Sequence, residues 1–378
     1  MVNRPFWLER IRLIWKKTPI VWLTGVRRSG KTTLCKAITG AKYLNCDLPS
    51  TEALLADSEA FFASVKEPIL ILDEIHQLSD PSRVLKIGSD AFPHLKILAT
   101  GSSTLAATQK FKDSLTGRKR TLTLPPVLFR ELEAFGIADL KERLFRGGLP
   151  PALLAAGPDD GFYAEWMDSY FARDVQELFR VEKRAGFLRL LATVLRQSGG
   201  LMETTSLAKA CGLSRPTILN YLEVFQTTHV AHVLRHFHGG GKQEILRQPK
   251  VYGFDTGFVR YAKGWSDLRN EDCGPLWEHL VLDTLFAIPA KAVHFWRDKR
   301  QHELDFVLPS GREGCHAVEC KWSFSGLETK HFLAFRGHHP RGKNIVVTPF
   351  QKEVMHRKAE GLEFSVTGLE NLQEILGL

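Results

Sequence analysis

Apolar residues fall along this chain in two alternating patterns. Short unbroken runs at Ile20–Leu23 (I-V-W-L), Ala41–Leu44, 68–72 (P-I-L-I-L) and Leu95–Thr100 (L-K-I-L-A-T) have the length of strands buried on both faces. Between them lie stretches with helical spacing. Residues 4–17 carry Phe6, Leu8, Ile11, Leu13 and Ile14 among basic residues, and Leu34–Ile38 continues a helix to Gly40. Such alternation predicts an α/β domain built on a parallel sheet, with ligands at the carboxyl ends of its strands. Beyond the turn-rich A-G-P-D-D-G, amphipathic helices take over, the first at Phe162–Phe179. Three more helices follow, Phe187–Gln197, Thr205–Ala210 and Arg215–Phe225, with C-G-L-S as the turn before the last; Ser214 caps that helix and Pro216 suits its first turn. Two strands, Val230–Phe237 and Glu244–Phe254, then flank H-G-G-G-K-Q as a hairpin wing. The last part opens near Phe258 and holds a helix, L-W-E-H-L-V-L-D-T-L-F, the strands F-W-R-D, H-E-L-D-F-V-L and A-V-E-C-K-W, and a closing helix at Leu369–Leu378. The expected division is 1–145 (α/β core), 146–185 (helical lid or linker), 186–257 (winged helix-turn-helix) and 258–378 (small α/β domain).

The first apolar run breaks into T-G-V-R-R-S-G-K-T-T, which meets the spacing G-x₄-G-K-T in full and has a strand before it and a helix after it. Gly25 and Gly30 let the backbone curl so that successive N–H groups face one anion, and the candidate ATP cradle runs through Gly25, Arg28, Ser29, Gly30, Lys31, Thr32 and Thr33. Lys31 would reach the β- and γ-phosphates and Thr32 would bind Mg²⁺. About 40 residues on, I-L-D-E ends a strand in two carboxylates. Asp73 would hold the Mg²⁺ shell, and Glu74 would orient or deprotonate the attacking water. A polar residue at the tip of the next strand, Thr100 or Ser102, would stand between these carboxylates and the γ-phosphate. A helix over Thr104–Leu115 ends at Gly117, and Arg118 or Arg120 after it is either a finger reaching a neighbouring subunit's nucleotide or a solvated basic edge.

Composition adds a partner. Over 378 residues the net charge is +9, which favours a polyanion, nucleic acid first, although charge alone does not separate it from a membrane surface. No run of about 18 apolar residues occurs, and the opening M-V-N-R-P-F-W-L-E-R is charged where a signal peptide is apolar, so the expected place is the cytoplasm, away from membranes. Six cysteines without a C-x-x-C pair fit reduced thiols; Cys315, His316 and Cys320 could hold zinc but fit plain packing better.

Taken together, G-V-R-R-S-G-K-T-T, I-L-D-E, A-T-G-S-S, L-T-G-R, L-F-R-E-L and R-G-G-L-P resemble a prokaryotic group of AAA+ ATPases whose C-terminal half is a domain of uncharacterised function. The resemblance spans nearly the whole chain and keeps the order of motifs. It implies an ATPase core, a helical region, a winged helix and a nuclease-like C-terminal fold, and makes Arg146 of R-G-G-L-P a candidate nucleotide sensor. Y-F-A-R-D-V also matches, and its Arg173 and Asp174 are read as structural or interface residues.

Two further constellations bear on nucleic acid. The third helix of the helix-turn-helix would expose Arg215, Thr217 and Asn220 toward a major groove, with Lys242 at the wing tip; winged helices also serve in protein packing. In the last domain Glu319 and Lys321 share one strand face, Asp305 lies fourteen residues earlier and Glu278 is on a helix. This set resembles that of PD-(D/E)XK nucleases, in which carboxylates hold Mg²⁺ and the lysine helps activate water, with Glu303 an alternative ligand. Such a fold can also be kept for holding DNA alone. The function expected is therefore a DNA-dependent ATPase that assembles into a ring or other oligomer and drives DNA remodelling, translocation or ATP-gated cleavage. The alternative is a nucleotide-controlled switch that binds DNA or a protein without motor or nuclease activity.

Overall fold

The computed structural model describes residues 2–101, 115–179, 181, 183–238, 248–287, 292–311, 314–324, 326 and 328–377. Its first sheet is fully parallel, in the order β2 (Ala41–Asn45), β3 (Ile69–Asp73), β4 (Lys96–Thr100), β1 (Ile20–Thr24), β5 (Lys119–Thr123). Every residue of β1 is buried, because α1 (Pro5–Trp15) covers one face with Trp7, Ile11 and Trp15 while Phe61, Phe62 and Leu85 crowd the other. Those last side chains come from α4 (Ser58–Ser64) and α5 (Pro81–Ala91); α4 and the preceding α3 (Pro49–Leu55) were not legible as helices in the sequence, and α2 (Lys31–Lys36) follows the glycine loop.

The helical part consists of α6 (Leu140–Arg146), α7 (Pro150–Leu153) and α8 (Asp160–Tyr170). The single helix expected over Phe162–Phe179 is interrupted: α8 widens into a π-helical turn at Phe171–Val175 before α9 (Gln176–Phe179). Single π turns often mark functional positions, and this one carries Asp174. Next come α10 (Arg184–Arg196), α11 (Thr204–Cys211) and α12 (Arg215–Thr227), the last capped by Ser214. They pack on a three-stranded antiparallel sheet ordered β6 (Gly200–Leu201), β8 (Lys250–Gly253), β7 (Ala231–Leu234). Phe258, where the sequence opens the last domain, lies instead on α13 (Thr256–Lys263) in the aromatic core of this middle part, against Trp166, Phe254 and Tyr163.

The C-terminal part sets α14 (Asn270–Phe286) across a six-stranded mixed sheet. That sheet runs β13 (Met355–Ala359), β14 (Leu362–Thr367), β12 (Asn344–Val347), β11 (Gly314–Cys320), β10 (Glu303–Ser310), β9 (His294–Arg297), with α15 (Lys330–Arg336) and α16 (Leu369–Ile375) against it. The three-stranded and six-stranded sheets are joined: past β7 the chain bridges β9 at His236–Phe295, and Phe237 N–H donates to the Phe295 carbonyl at 2.8 Å. Among the described residues no helix is long and apolar enough to cross a membrane.

Candidate functional site

β1 delivers the chain into the glycine loop at Thr24. Gly25 has φ 143°, and a Cβ there would lie 2.4 Å from the Leu124 carbonyl oxygen, so only glycine fits this close approach. Gly30, at φ 96°, starts α2. The Lys31 ammonium donates to the carbonyls of Gly25 at 2.9 Å and Val26 at 3.1 Å, and among the described residues the buried Ser29 Oγ has no hydrogen-bond partner. Burial lowers the Lys31 pKa, against the opposing pull of Glu74, Asp174 and Asp73.

Across the sheet, Asp73 is buried at the end of β3. Its Oδ1 accepts from the Thr100 hydroxyl at 2.5 Å and its Oδ2 from the Tyr43 hydroxyl at 2.7 Å. The Thr100 oxygen in turn accepts the Glu74 N–H at 3.0 Å, so one hydroxyl ties both carboxylate residues together. Burial and this carboxylate raise the Tyr43 pKa. Glu74 turns out of the strand at φ 56°, its carboxylate 3.3 Å from His76 Nδ1. Ser102, the other candidate at this strand tip, lies outside the described residues, as does most of the helix expected over Thr104–Leu115.

The loop is gripped from three sides by residues whose sequence context suggests no such role. From α1's side, buried Arg4 donates to the Ser29 carbonyl at 3.0 Å and pairs with buried Glu131 at 2.7 Å. From the helical part, Asp174 pairs with Arg27 at 3.0 Å, Trp166 Nε1 donates to the Arg27 carbonyl at 3.0 Å, and Arg28 lies 5.3 Å over the Phe162 ring. Asp174, read from sequence as structural or interface only, therefore contacts the phosphate loop directly. From the middle part, His229 Nε2 comes within 3.3 Å of the Thr24 hydroxyl, from a backbone held at φ 61°. Burial, then the nearby Lys31 charge, pushes the His229 pKa down to about 4, so its ring is neutral at physiological pH. Glu131 and Asp174 sit in L-F-R-E-L and Y-F-A-R-D-V, stretches already conspicuous in the sequence; nothing flagged His229.

The basic candidates are placed differently. Arg118 carries the carbonyl that accepts the Ile20 N–H, at the end of the sheet opposite the loop, and forms a two-pronged pair with Asp90 at 2.6 and 3.0 Å. Arg120 is exposed one step into β5, beside Val21. A five-residue strand spans roughly 15 Å, so neither side chain serves its own chain's loop. Arg146 pairs with Glu142 at 3.1 Å and donates to the Ala155 carbonyl, facing its own helix. On α12, Arg215 and Asn220 are exposed, whereas the Thr217 hydroxyl is bonded to Ser214 Oγ at 2.8 Å; Lys242 lies outside the described residues.

At the other end of the molecule, the antiparallel pairing of Phe306 with Val318 sets Asp305 beside Glu319, and Glu278 of α14 faces them. Asp305 Oδ2 accepts the Cys320 N–H at 2.7 Å; Lys321 Nζ is 3.2 Å from Glu319 and 3.1 Å from Glu328. Burial and then the neighbouring carboxylates raise the Asp305 pKa, and burial pushes Glu319 up to about 7. A group absent from the expected set stands among them. Lys250, from β8 of the middle part, places Nζ 2.8 Å from Glu278, 2.9 Å from Glu303 and 3.8 Å from Asp305, and Tyr252 donates to Glu278. Among the described residues no cluster of His, Cys, Asp and Glu is disposed to hold a metal ion. With the Lys250 ammonium seated among them, these carboxylates as they stand do not present the open set of oxygens that Mg²⁺ needs. The same holds for zinc at Cys315, His316 and Cys320: neighbours on a strand point to opposite faces, and His316 Nδ1 accepts the Lys343 N–H at 3.3 Å.

With this geometry, comparison with known proteins gives a consistent assignment. Residues 17–133 match the family described as AAA domain, residues 137–269 a domain of unknown function (DUF8612) and residues 273–364 another (DUF4143). The chain thus carries an N-terminal AAA+ ATPase domain followed by uncharacterised domains. It is 28% identical over 328 residues to uncharacterised proteins of Mycobacterium bovis and Mycobacterium tuberculosis, covering 82% of this chain and 73% of each of theirs. Among solved structures, a single-residue variant of Thermotoga maritima RuvB matches with 17% identity and a TM-score of 0.31, over 61% of this chain and 89% of its own. The Saccharomyces cerevisiae Hsp104–ADP complex matches with 14% identity and a TM-score of 0.31, over 76% and 43%. Scores of that size carry no argument here.

Proposed function

We propose that this protein is a DNA-dependent AAA+ ATPase that binds ATP in the Gly25–Thr33 loop, hydrolyses it, and passes the resulting movement to DNA held by its middle and C-terminal parts. The observation that carries the reading is the Thr100 hydroxyl joined to both Asp73 and Glu74 at the strand ends facing the loop. Buried Ser29 Oγ, without a partner among the described residues, suits a phosphate oxygen. Thr32 and Asp73 would hold the Mg²⁺ that accompanies ATP and offsets phosphate charge. Glu74, less buried and outside the strand, is the residue that would orient water. Lys31 would exchange its two carbonyl partners for phosphate oxygens.

Arg118 lies at the far end of the sheet, which favours a role toward a neighbouring copy's nucleotide and hence an assembled oligomer. Arg215 and Asn220 on α12, with the excess positive charge, favour a winged-helix grip on DNA phosphates and groove edges. The output is remodelling or translocation. The test is steady-state ATP hydrolysis with and without duplex, single-stranded and branched DNA, for wild type, Lys31→Ala and Glu74→Gln. Expected are DNA-stimulated turnover in wild type, loss of ATP binding in Lys31→Ala, and ATP binding without turnover in Glu74→Gln. Tight ATP binding with very slow, DNA-independent hydrolysis would instead indicate a nucleotide-controlled switch.

A further inference from the structure

Lys250 is the least expected residue in the molecule. It is 4% exposed, sits on a strand of the middle part, and inserts its ammonium into a carboxylate cluster that belongs to the C-terminal part. The strand K-V-Y-G puts Lys250 and Tyr252 on one face, and both engage the same Glu278 oxygen. We infer that the Lys250 ammonium is the resident cation of the Glu278–Glu303–Asp305–Glu319 cluster, standing where a divalent ion would have to bind, so that this domain takes no catalytic metal there. The inference goes beyond the ATPase reading and does not depend on it.

The ligand inventory supports it. A divalent ion needs carboxylate oxygens free to close on it at about 2.0–2.6 Å. Glu278 Oε1 already accepts from Lys250 and Tyr252, Glu303 accepts from Lys250 on one oxygen and from Arg297 at 3.1 Å on the other, and Asp305 Oδ2 accepts the Cys320 N–H. Among the described residues Glu319 Oε2 is buried without a hydrogen-bond partner, and Asp305 Oδ1 faces the Lys250 ammonium at 3.8 Å, so the oxygens left over lie beside a fixed positive charge. A fixed positive charge beside the cluster also repels a second cation directly. Charge is nevertheless met, because the buried carboxylates have Lys250, Lys321 and Arg297 among them.

Nor is the ammonium placed to leave. β8 is the middle strand of its sheet, with Lys250 in register with Leu201 on one side and Leu234 on the other. The same sheet is tied to β9 by the His236–Phe295 bridge. Withdrawing the ammonium would break its pairs with Glu278 and Glu303, so the lysine fastens the middle part to the C-terminal part as well as neutralising the cluster. On this reading the nuclease-like constellation is a lysine-filled joint, and Lys321 on its rim has no metal-bound water to activate.

The test is Mn²⁺ uptake by the full, nucleotide-free protein, followed through the electron paramagnetic resonance signal of free Mn²⁺. Wild type and Asp305→Asn should take up equal amounts, whereas Lys250→Ala should gain a site that is lost again in Lys250→Ala/Asp305→Asn. Comparison with Asp305→Asn cancels any ion held near Asp73. Asp305-dependent uptake by wild type would overturn the inference, as would a folded Lys250→Ala that gains nothing. If Lys250→Ala fails to fold, Lys250→Gln takes its place, and the wild-type against Asp305→Asn comparison still decides the matter alone.

Discussion

Replacing Thr100 with valine keeps the shape of the side chain and removes its hydroxyl. Two bonds are lost at once: the 2.5 Å donation to Asp73 and the acceptance of the Glu74 N–H at 3.0 Å. A hydrogen bond to an ionised group contributes about 1.5–3 kcal/mol. Asp73 keeps its Tyr43 partner, so the carboxylate remains in place but less constrained, while Glu74 loses the contact that fixes its left-handed backbone. If that constraint matters only when water attacks, the loss appears in turnover, and about 1.5–3 kcal/mol corresponds to roughly 10- to 150-fold in kcat. Binding of a fluorescent ATP analogue should change little, because neither bond involves the loop. Thr100→Ser should restore most of the rate, since it returns the hydroxyl. Wild-type kcat in Thr100→Val, or a loss confined to nucleotide affinity, would refute the role assigned to this residue.

Arg118→Ala should abolish turnover with ATP affinity largely kept. Wild-type turnover in that variant would move the finger to Arg120 or remove it. Asp283 should leave a mark on the pH dependence of stability. Burial raises its pKa from an ordinary carboxylate value to about 7, with Arg143 at 3.9 Å opposing. The folded chain then keeps a proton that the unfolded chain releases, so this group's contribution to stability is fully present below about pH 4 and is lost as pH rises to 7, by about 1.4 kcal/mol per unit. Asp283→Asn should remove this component, seen as a smaller fall in melting temperature from pH 5 to 7 than in wild type; parallel profiles would refute it.

The sheet core was the most legible part of the sequence, because strands buried on both faces are written as unbroken apolar runs. The loop and Asp73 were legible for a related reason: they sit at fixed offsets from those runs. Residues that act across long sequence distances left no such trace. Arg4 meets Glu131, Arg27 meets Asp174 and Thr24 meets His229 only after the layers close. The carboxylates Asp305 and Glu319 could be paired from strand alternation, but Lys250 could not, since it read as one more basic residue in a wing. The edge strand β13, M-H-R-K-A, was likewise missed; its charged, solvent-facing positions give no alternation.

The middle sheet touches both ends of the molecule's chemistry. His229 precedes β7 and meets Thr24 at the mouth of the phosphate loop, while Lys250 opens β8 and enters the carboxylate cluster. Val230 accepts the Phe254 N–H at one end of this antiparallel pair, and Leu234 faces Lys250 at the other. The two contacts are therefore separated by about four residues of ladder, roughly 13 Å. A hydrogen-bonded pair of strands moves as a unit more readily than it stretches, so a shift of Thr24 on ATP binding should reach the cluster as a tilt of β8. Amide hydrogen exchange tests this: a non-hydrolysed ATP analogue should change exchange at Lys250–Gly253 as well as in the loop, and His229→Ala should confine the change to the loop. Exchange at β8 that ignores the nucleotide in wild type would mean that the two sites share a frame without sharing a motion.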